Sequence, residues 1–130
     1  MPGTLLLDCE GLSKLYRRDK KVVILVEAAR QEGIRVGTTT MTRLEAERSG
    51  VHKARIAWVL SRLDLHEITR SVSDSAAELL RDNDLSGHKY AIDATLAAVA
   101  RSARPPVTLL TSDPEDLTLL CGRGVSIIKV

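Results

Sequence analysis

The chain has 130 residues, 44% of them hydrophobic and 28% charged, with 19 Lys plus Arg against 17 Asp plus Glu for a formal net charge of +2. That supplies enough apolar material for one buried core, and the charge is compatible with a polyanionic partner without demanding one. No apolar run approaches a membrane span and "MPGTLLLD" meets its first acid too early for a signal peptide, so a cytoplasmic protein with no membrane partner is expected.

Two cysteines, Cys9 and Cys121, lack zinc-like spacing and read as reduced, packed thiols. Two Tyr, one Trp and no Phe give no row of stacking rings of the kind used by general single-strand binders. With no linker, repeat or low-complexity segment, residues 1–130 read as a single domain.

In chain order, "TLLLD" (Thr4 to Asp8) is a short apolar run ending in an acid, the pattern of a buried parallel strand. "GLSKLY" follows, and "KKVVILVEAARQEGI" has helical length with Gly33 as its stop. "IRVGTTT" is β-branched and reads as the second strand. "MTRLEAERSG" reads as a short helix closed by Gly50, and "VHKARIAWVLSRL" as a helix whose stripe is Val51, Ala54, Ala57, Trp58 and Leu65.

A brief strand is expected around "LHEIT", then an amphipathic helix over "SVSDSAAELLRDNDL" capped by Ser71 or Ser73. A helix over "HKYAIDATLAAVA" starts at Ser86 or Gly87. Pro105 and Pro106 end it, "VTLLTSD" is another buried strand, "PEDLTLLCGRG" a helix with proline first and glycines last, and "VSIIKV" a terminal strand. Strands alternating with helices throughout predict a three-layer α/β/α sandwich around a mainly parallel sheet.

Asp93 stands out because the residues from Ala91 to Ala100 are nearly all apolar, so its helix is expected to be largely buried and to carry a carboxylate inside. In parallel α/β sheets ligands bind at the carboxyl ends of the strands. Asp8 and Asp113 each close a strand, Glu45 lies in the helix after "GTTT", and Asp93 lies in the helix before the "VTLLTSD" strand. All four can reach one crevice, where clustered carboxylates repel unless a cation sits among them.

Hard oxygen donors favour Mg2+, with Mn2+ as a substitute, and metal-assisted phosphodiester hydrolysis uses these parts best. Taken singly, each acid has a plainer role. Asp113 suits a helix N-cap before proline, Asp8 could cap "GLSKLY", Glu45 could be an exposed helix residue, and Asp93 could pair with Arg101, Lys89 or Arg43.

Four segments, "LLLDCEGLSKLY", "TTTMTRLEAER", "HKYAIDATLAAVA" and "VTLLTSDPEDL", together resemble the PIN-domain ribonucleases over essentially the whole chain, and among them the VapC-type toxins of bacterial toxin-antitoxin pairs. The resemblance implies a PIN-like fold, a Mg2+-dependent endoribonuclease acting on single-stranded RNA, and Asp8, Glu45, Asp93 and Asp113 as catalytic and metal-binding acids. It further implies Asp116 as an additional metal-binding acid and Thr111 or Ser112 as a hydrogen-bonding neighbour. The resemblance also implies a homodimer and a cognate antitoxin protein as partners.

Cys9 stands where such proteins often carry a small hydroxyl residue, and Leu117 where an aromatic often follows the last acid. Arg17, Arg18, Lys20, Lys21, Arg43 and Arg48 are candidate rim cations for RNA phosphates. The alternatives are a catalytically silent PIN-like binding module, and a doubly wound phosphatase-like domain with Asp8 as phosphate acceptor. The second lacks an acid two residues after Asp8.

Overall fold

A computed structural model describes residues 2–130. The first strand, β1, is Thr4–Leu7, followed by helices α1 (Cys9–Tyr16) and α2 (Lys20–Gln31) and strand β2 (Arg35–Thr39). Helices α3 (Thr40–Glu45) and α4 (Lys53–Ser61) lead to strand β3 (Asp64–His66), then helices α5 (Arg70–Asp82) and α6 (Gly87–Ser102). Strand β4 (Val107–Thr111), helix α7 (Pro114–Cys121), a 3-10 turn (Gly122–Gly124) and strand β5 (Val125–Lys129) complete the chain.

The five strands form one sheet in the order β3-β2-β1-β4-β5, every neighbouring pair parallel. Both faces are covered, which is why β1 is a continuous apolar run. Leu5 and Leu7 enter a core with Leu12, Tyr16, Val22 and Val59 on the α1, α2 and α4 side. Leu6 enters the opposite core with Leu96, Leu109, Leu117 and Leu120 under α5, α6 and α7. This is the expected three-layer sandwich, with the sheet parallel throughout.

Local signals explain most boundaries. Asp19 accepts from the Val22 N–H to start α2, and Gly33, with φ 77, follows its end in the left-handed conformation that glycine adopts without penalty. Pro114 opens α7 and Gly122, with φ 70, closes it.

Several expectations shift. The helix expected to run to Gly50 stops at Glu45, and Gly50 lies in a turn. The strand expected at "LHEIT" is Asp64–His66, pinned on β2 by Gly37↔Asp64 pairing and by Arg35, whose Nε donates to Asp64 at 2.8 Å. Thr69, not Ser71 or Ser73, caps α5 by accepting from the Val72 N–H at 3.2 Å.

The buried side of α4 is also not the expected stripe. Ile56, Val59 and the following Leu63 face the core, while Ala54 and Ala57 are exposed and Trp58 is 49% exposed. Branched aliphatic side chains at i, i+3 and i+7 fill the space against α1, and the indole is displaced to the surface. There the guanidinium groups of Arg55 and Arg62 lie 5.0 and 4.9 Å from its centroid.

Candidate active site

The chain lays β1, β2 and β3 outward in one direction, then returns to put β4 on the other side of β1. The winding therefore reverses between β1 and β4. At such a reversal the loops leaving the two carboxyl ends part and open a crevice. The pairing Leu7↔Leu110 brings Asp8 beside Thr111, and the Asp8 N–H donates to the Leu110 carbonyl at 3.1 Å.

Asp8 is half-buried and caps α1, its Oδ1 accepting from the Gly11 N–H at 2.8 Å. A side chain at Gly11 would meet the Leu110 carbonyl at 3.1 Å and Asp8 Oδ1 at 3.5 Å, so the start of α1 packs closely on β4 and a larger residue there would need a small shift. Burial raises the proton affinity of Asp8, against the Gly11 N–H and the Thr111 hydroxyl, which lower it. Thr111 is fully buried, and its hydroxyl oxygen also accepts from the Asp113 N–H at 3.0 Å. One hydroxyl thus ties the first acid to the loop bearing the last.

Glu45 ends α3. The position of this helix is set by a threonine network in which Thr39 Oγ1 accepts from the Thr42 N–H and donates to Thr42 Oγ1 at 2.9 Å. Beside it the Thr38 hydroxyl donates to the Leu7 carbonyl at 2.6 Å, locking β2 to β1. Glu45 is an exposed residue, as its plainer reading had it; partial desolvation of its carboxyl and then the charge of Asp8 raise its proton affinity, and the Cys9 thiol, donating to it, acts in the opposite sense. Burial first, then Glu45, Asp8 and Glu10, push that thiol up to about 12, so Cys9 stays protonated and serves as a donor.

Asp93 lies on α6, which packs against α3 and β2. Its side chain is half-buried, with Ala91 exposed, Ala94 buried and an unbroken buried stretch from Leu96 to Ala100. From Ala91 to Ala100 the helix is largely buried, as expected; its sixteen residues span about 24 Å at 1.5 Å each, longer than any strand beneath. The first turns therefore project over the carboxyl edge.

Burial first, then the charges of Glu45, Asp8, Asp116 and Asp113, raise Asp93 to about 6. Among the described residues no ion pair includes it, so the pairing with Arg101, Lys89 or Arg43 is not made. Arg101 donates instead to the Cys121 carbonyl at 3.3 Å, and Lys89 lies over the Tyr90 ring.

Asp113 occupies the N-cap position of α7, yet its carboxylate caps nothing and is exposed. Asp116 is half-buried in the first turn of the same helix. The fold thus brings the other four acids singled out in the sequence within electrostatic reach of Asp93. Among the described residues no three acid, histidine or cysteine side chains are drawn into a ready-made metal cage. Uncompensated carboxylates repel one another and stand apart. The donor set is all hard oxygen, and its negative charge is unneutralised, which fits a hard divalent cation.

The candidate rim cations divide. Arg17 pairs with Glu10 at 3.7 Å, Arg48 donates to Ser13 Oγ at 2.6 Å and Lys21 to the Lys129 carbonyl at 2.8 Å. Arg18 and Lys20 line a groove between α2 and α4 instead. Arg43 is exposed on α3, two residues before Glu45. The tie from Cys9 to Glu45 and the double role of Thr111 depend on neighbours distant in sequence. Only the acid-then-thiol order of "DC" and the "TSD" string hinted at them.

No protein-family model and no curated protein sequence matches the chain. Solved structures do. A chain of VapBC2 from Rickettsia felis, bound to a DNA fragment from its promoter, is 11% identical with a TM-score of 0.67, over 98% of each chain. A toxin-antitoxin complex from Klebsiella pneumoniae is 17% identical with a TM-score of 0.70, over 97% of this chain and 99% of that one. FitAB bound to the IR36 DNA fragment is 19% identical with a TM-score of 0.66, over 96% and 94%. The likeness is one of fold: this chain has the three-layer, PIN-like architecture read from its four acidic segments, and shares it with chains of toxin-antitoxin complexes.

Proposed function

We propose that the chain is a single-domain VapC-type toxin, a metal-dependent endoribonuclease that hydrolyses phosphodiester bonds of single-stranded RNA and is held in check by a cognate antitoxin. The observation that carries the reading is the convergence of Asp8, Glu45, Asp113 and Asp116 around the half-buried Asp93, whose carboxyl their charges help raise to about 6. A fold shared with toxin-antitoxin complexes along nearly the whole chain supports it.

In this reading Asp8, Glu45, Asp93 and Asp113 hold a divalent cation, Mg2+ or Mn2+, with Asp116 as a further ligand. When bound, the cation supplies Lewis acidity toward phosphate oxygen and water and neutralises the pocket. The chain's own groups do the rest. Thr111 orients Asp8 by donating to its carboxylate while fixing the Asp113 loop. Cys9 holds Glu45 toward the pocket without competing as a thiolate. An ionised acid of the cluster takes the proton of the attacking water, and Arg43 meets RNA phosphate at the rim.

The experiment is induced expression in a bacterium lacking the antitoxin. Growth arrest with the wild type and normal growth with Asp8→Asn or Asp93→Asn, at equal protein levels, is expected. Arrest that persists in both variants would separate toxicity from the acids and favour the silent binding module.

A further inference from the structure

The first turns of α6 overhang the acidic crevice, and Asp93 marks the stripe of the helix that faces in, since its carboxyl feels the charges of Glu45, Asp8, Asp116 and Asp113. Residues three and four before it lie on the same stripe. Here they are Tyr90 and Lys89, about 5–6 Å nearer the helix start. Lys89 is exposed and Tyr90 half-buried. Their spacing would let Lys89 pair with Asp93, yet among the described residues that pair is not made. The ammonium instead lies 5.1 Å from the centroid of the Tyr90 ring.

We propose that Lys89 and Tyr90 form the subsite for the nucleotide beside the scissile phosphate, the ammonium leaving the ring to meet a phosphate and a base stacking on the ring in its place. Two features favour this. A polyanion entering a crevice of acids needs cations at its border. Arg43 stands exposed on α3, which packs against α6, and Lys89 supplies a second cation from that neighbouring helix. The ring surface that attracts an ammonium is also a surface on which a base stacks.

Tyr90 has no companion in this role. The chain has two Tyr, one Trp and no Phe; Tyr16 is 2% exposed in the core, and Trp58 lies on α4 beside Arg55 and Arg62. One ring stacks one base, so selection falls on a single nucleotide rather than along the strand. Stacking is strongest for the larger ring system of a purine, which sets the expected preference. As a subsite of the acidic crevice, the proposal rests on the ribonuclease reading.

The test sequences the ends cut from a mixed single-stranded RNA pool by the wild type, Tyr90→Phe, Tyr90→Ala and Lys89→Gln. Binding of labelled RNA is measured by anisotropy with the same changes in Asp8→Asn protein, which leaves RNA uncut. A purine preference at one position beside the cut is expected, kept by Tyr90→Phe and lost by Tyr90→Ala, which should bind RNA about tenfold more weakly. Lys89→Gln should keep the preference, weaken binding about fivefold and lower the salt slope by about one phosphate contact. Mg2+ affinity by calorimetry should fall in none of the three single variants.

An unaltered base preference in Tyr90→Ala, or unaltered binding by Lys89→Gln, would overturn the proposal while the ribonuclease stands. A loss of Mg2+ affinity that matches the loss of cutting would overturn it too, by placing the effect in the metal site. Binding that depends on both side chains, with no cutting by the wild type under either metal, would leave the RNA contact standing and remove the nuclease. RNA that is neither bound nor cut overturns both.

Discussion

At the residue scale the central tension is a carboxylate held where its charge is unwelcome. Asp93 is raised to about 6 from 3.8. Below about pH 4 it is protonated in both the folded and unfolded chain; as the pH climbs through 6 the unfolded chain releases its proton more readily, and folding stability falls. Asp93→Asn should therefore raise the melting temperature by several degrees at pH 7 without metal, with no gain below pH 4, while removing cleavage. A gain unchanged across that range would contradict the electrostatic origin. Mg2+ should stabilise the wild type by binding the native state and should stabilise Asp93→Asn much less, as thermal shift at pH 7 will show.

Asp8 and Asp113 were legible in the sequence because each closes an apolar run, Asp93 because it lies within one, and Glu45 from its helix after the second strand. The groups that position them were not. Cys9 meets Glu45 and Thr111 meets Asp8 only when the sheet sets their elements side by side. Thr111→Val should raise the Asp8 proton affinity and free the Asp113 loop; Mg2+ affinity by calorimetry is expected to fall several-fold with the fold retained.

At the element scale, helix starts and strand ends determine where the acids stand. Thr39 caps α3 and so sets the direction of the helix that ends in Glu45. Thr39→Val keeps the β-branch but loses the cap, and should cost about 1 kcal/mol in denaturant unfolding with a larger loss of activity than stability alone accounts for. Gly11→Ala places a methyl group 3.1 Å from the Leu110 carbonyl. It should destabilise by about 1–3 kcal/mol and lower Mg2+ affinity, because the clash lifts α1 and its capping Asp8. Unaltered stability and affinity would show that α1 can shift freely.

Sequence reasoning found these elements but misjudged faces and caps where two options were nearly equal. In α4 the alanines and Trp58 made as plausible a stripe as Ile56 and Val59, and the width of the space against α1 decided between them. In α5 the hydroxyls of Thr69, Ser71 and Ser73 all suited a cap; Thr69 was first in line after β3.

At the scale of the whole molecule, the alternation of strand and helix foretold the sandwich, because a sheet buried on both faces needs helices on both sides and parallel neighbours need crossovers. Reversal of winding beside β1 then gathers acids from four separate segments at one edge. The same architecture leaves five cations around a groove on one flank, so a chain of net charge +2 presents separated acidic and basic regions. Composition reports only their sum, which is why the charge balance looked unremarkable.

The measurement to make is cleavage of a mixed single-stranded RNA pool by the purified protein with Mg2+ or Mn2+, beside EDTA and the Asp8→Asn variant. Metal-dependent cutting that disappears in both controls is the expected result. Absence of cutting with either metal, or cutting that survives EDTA or the loss of Asp8, would contradict the assignment of the acidic crevice as a metal-dependent ribonuclease site.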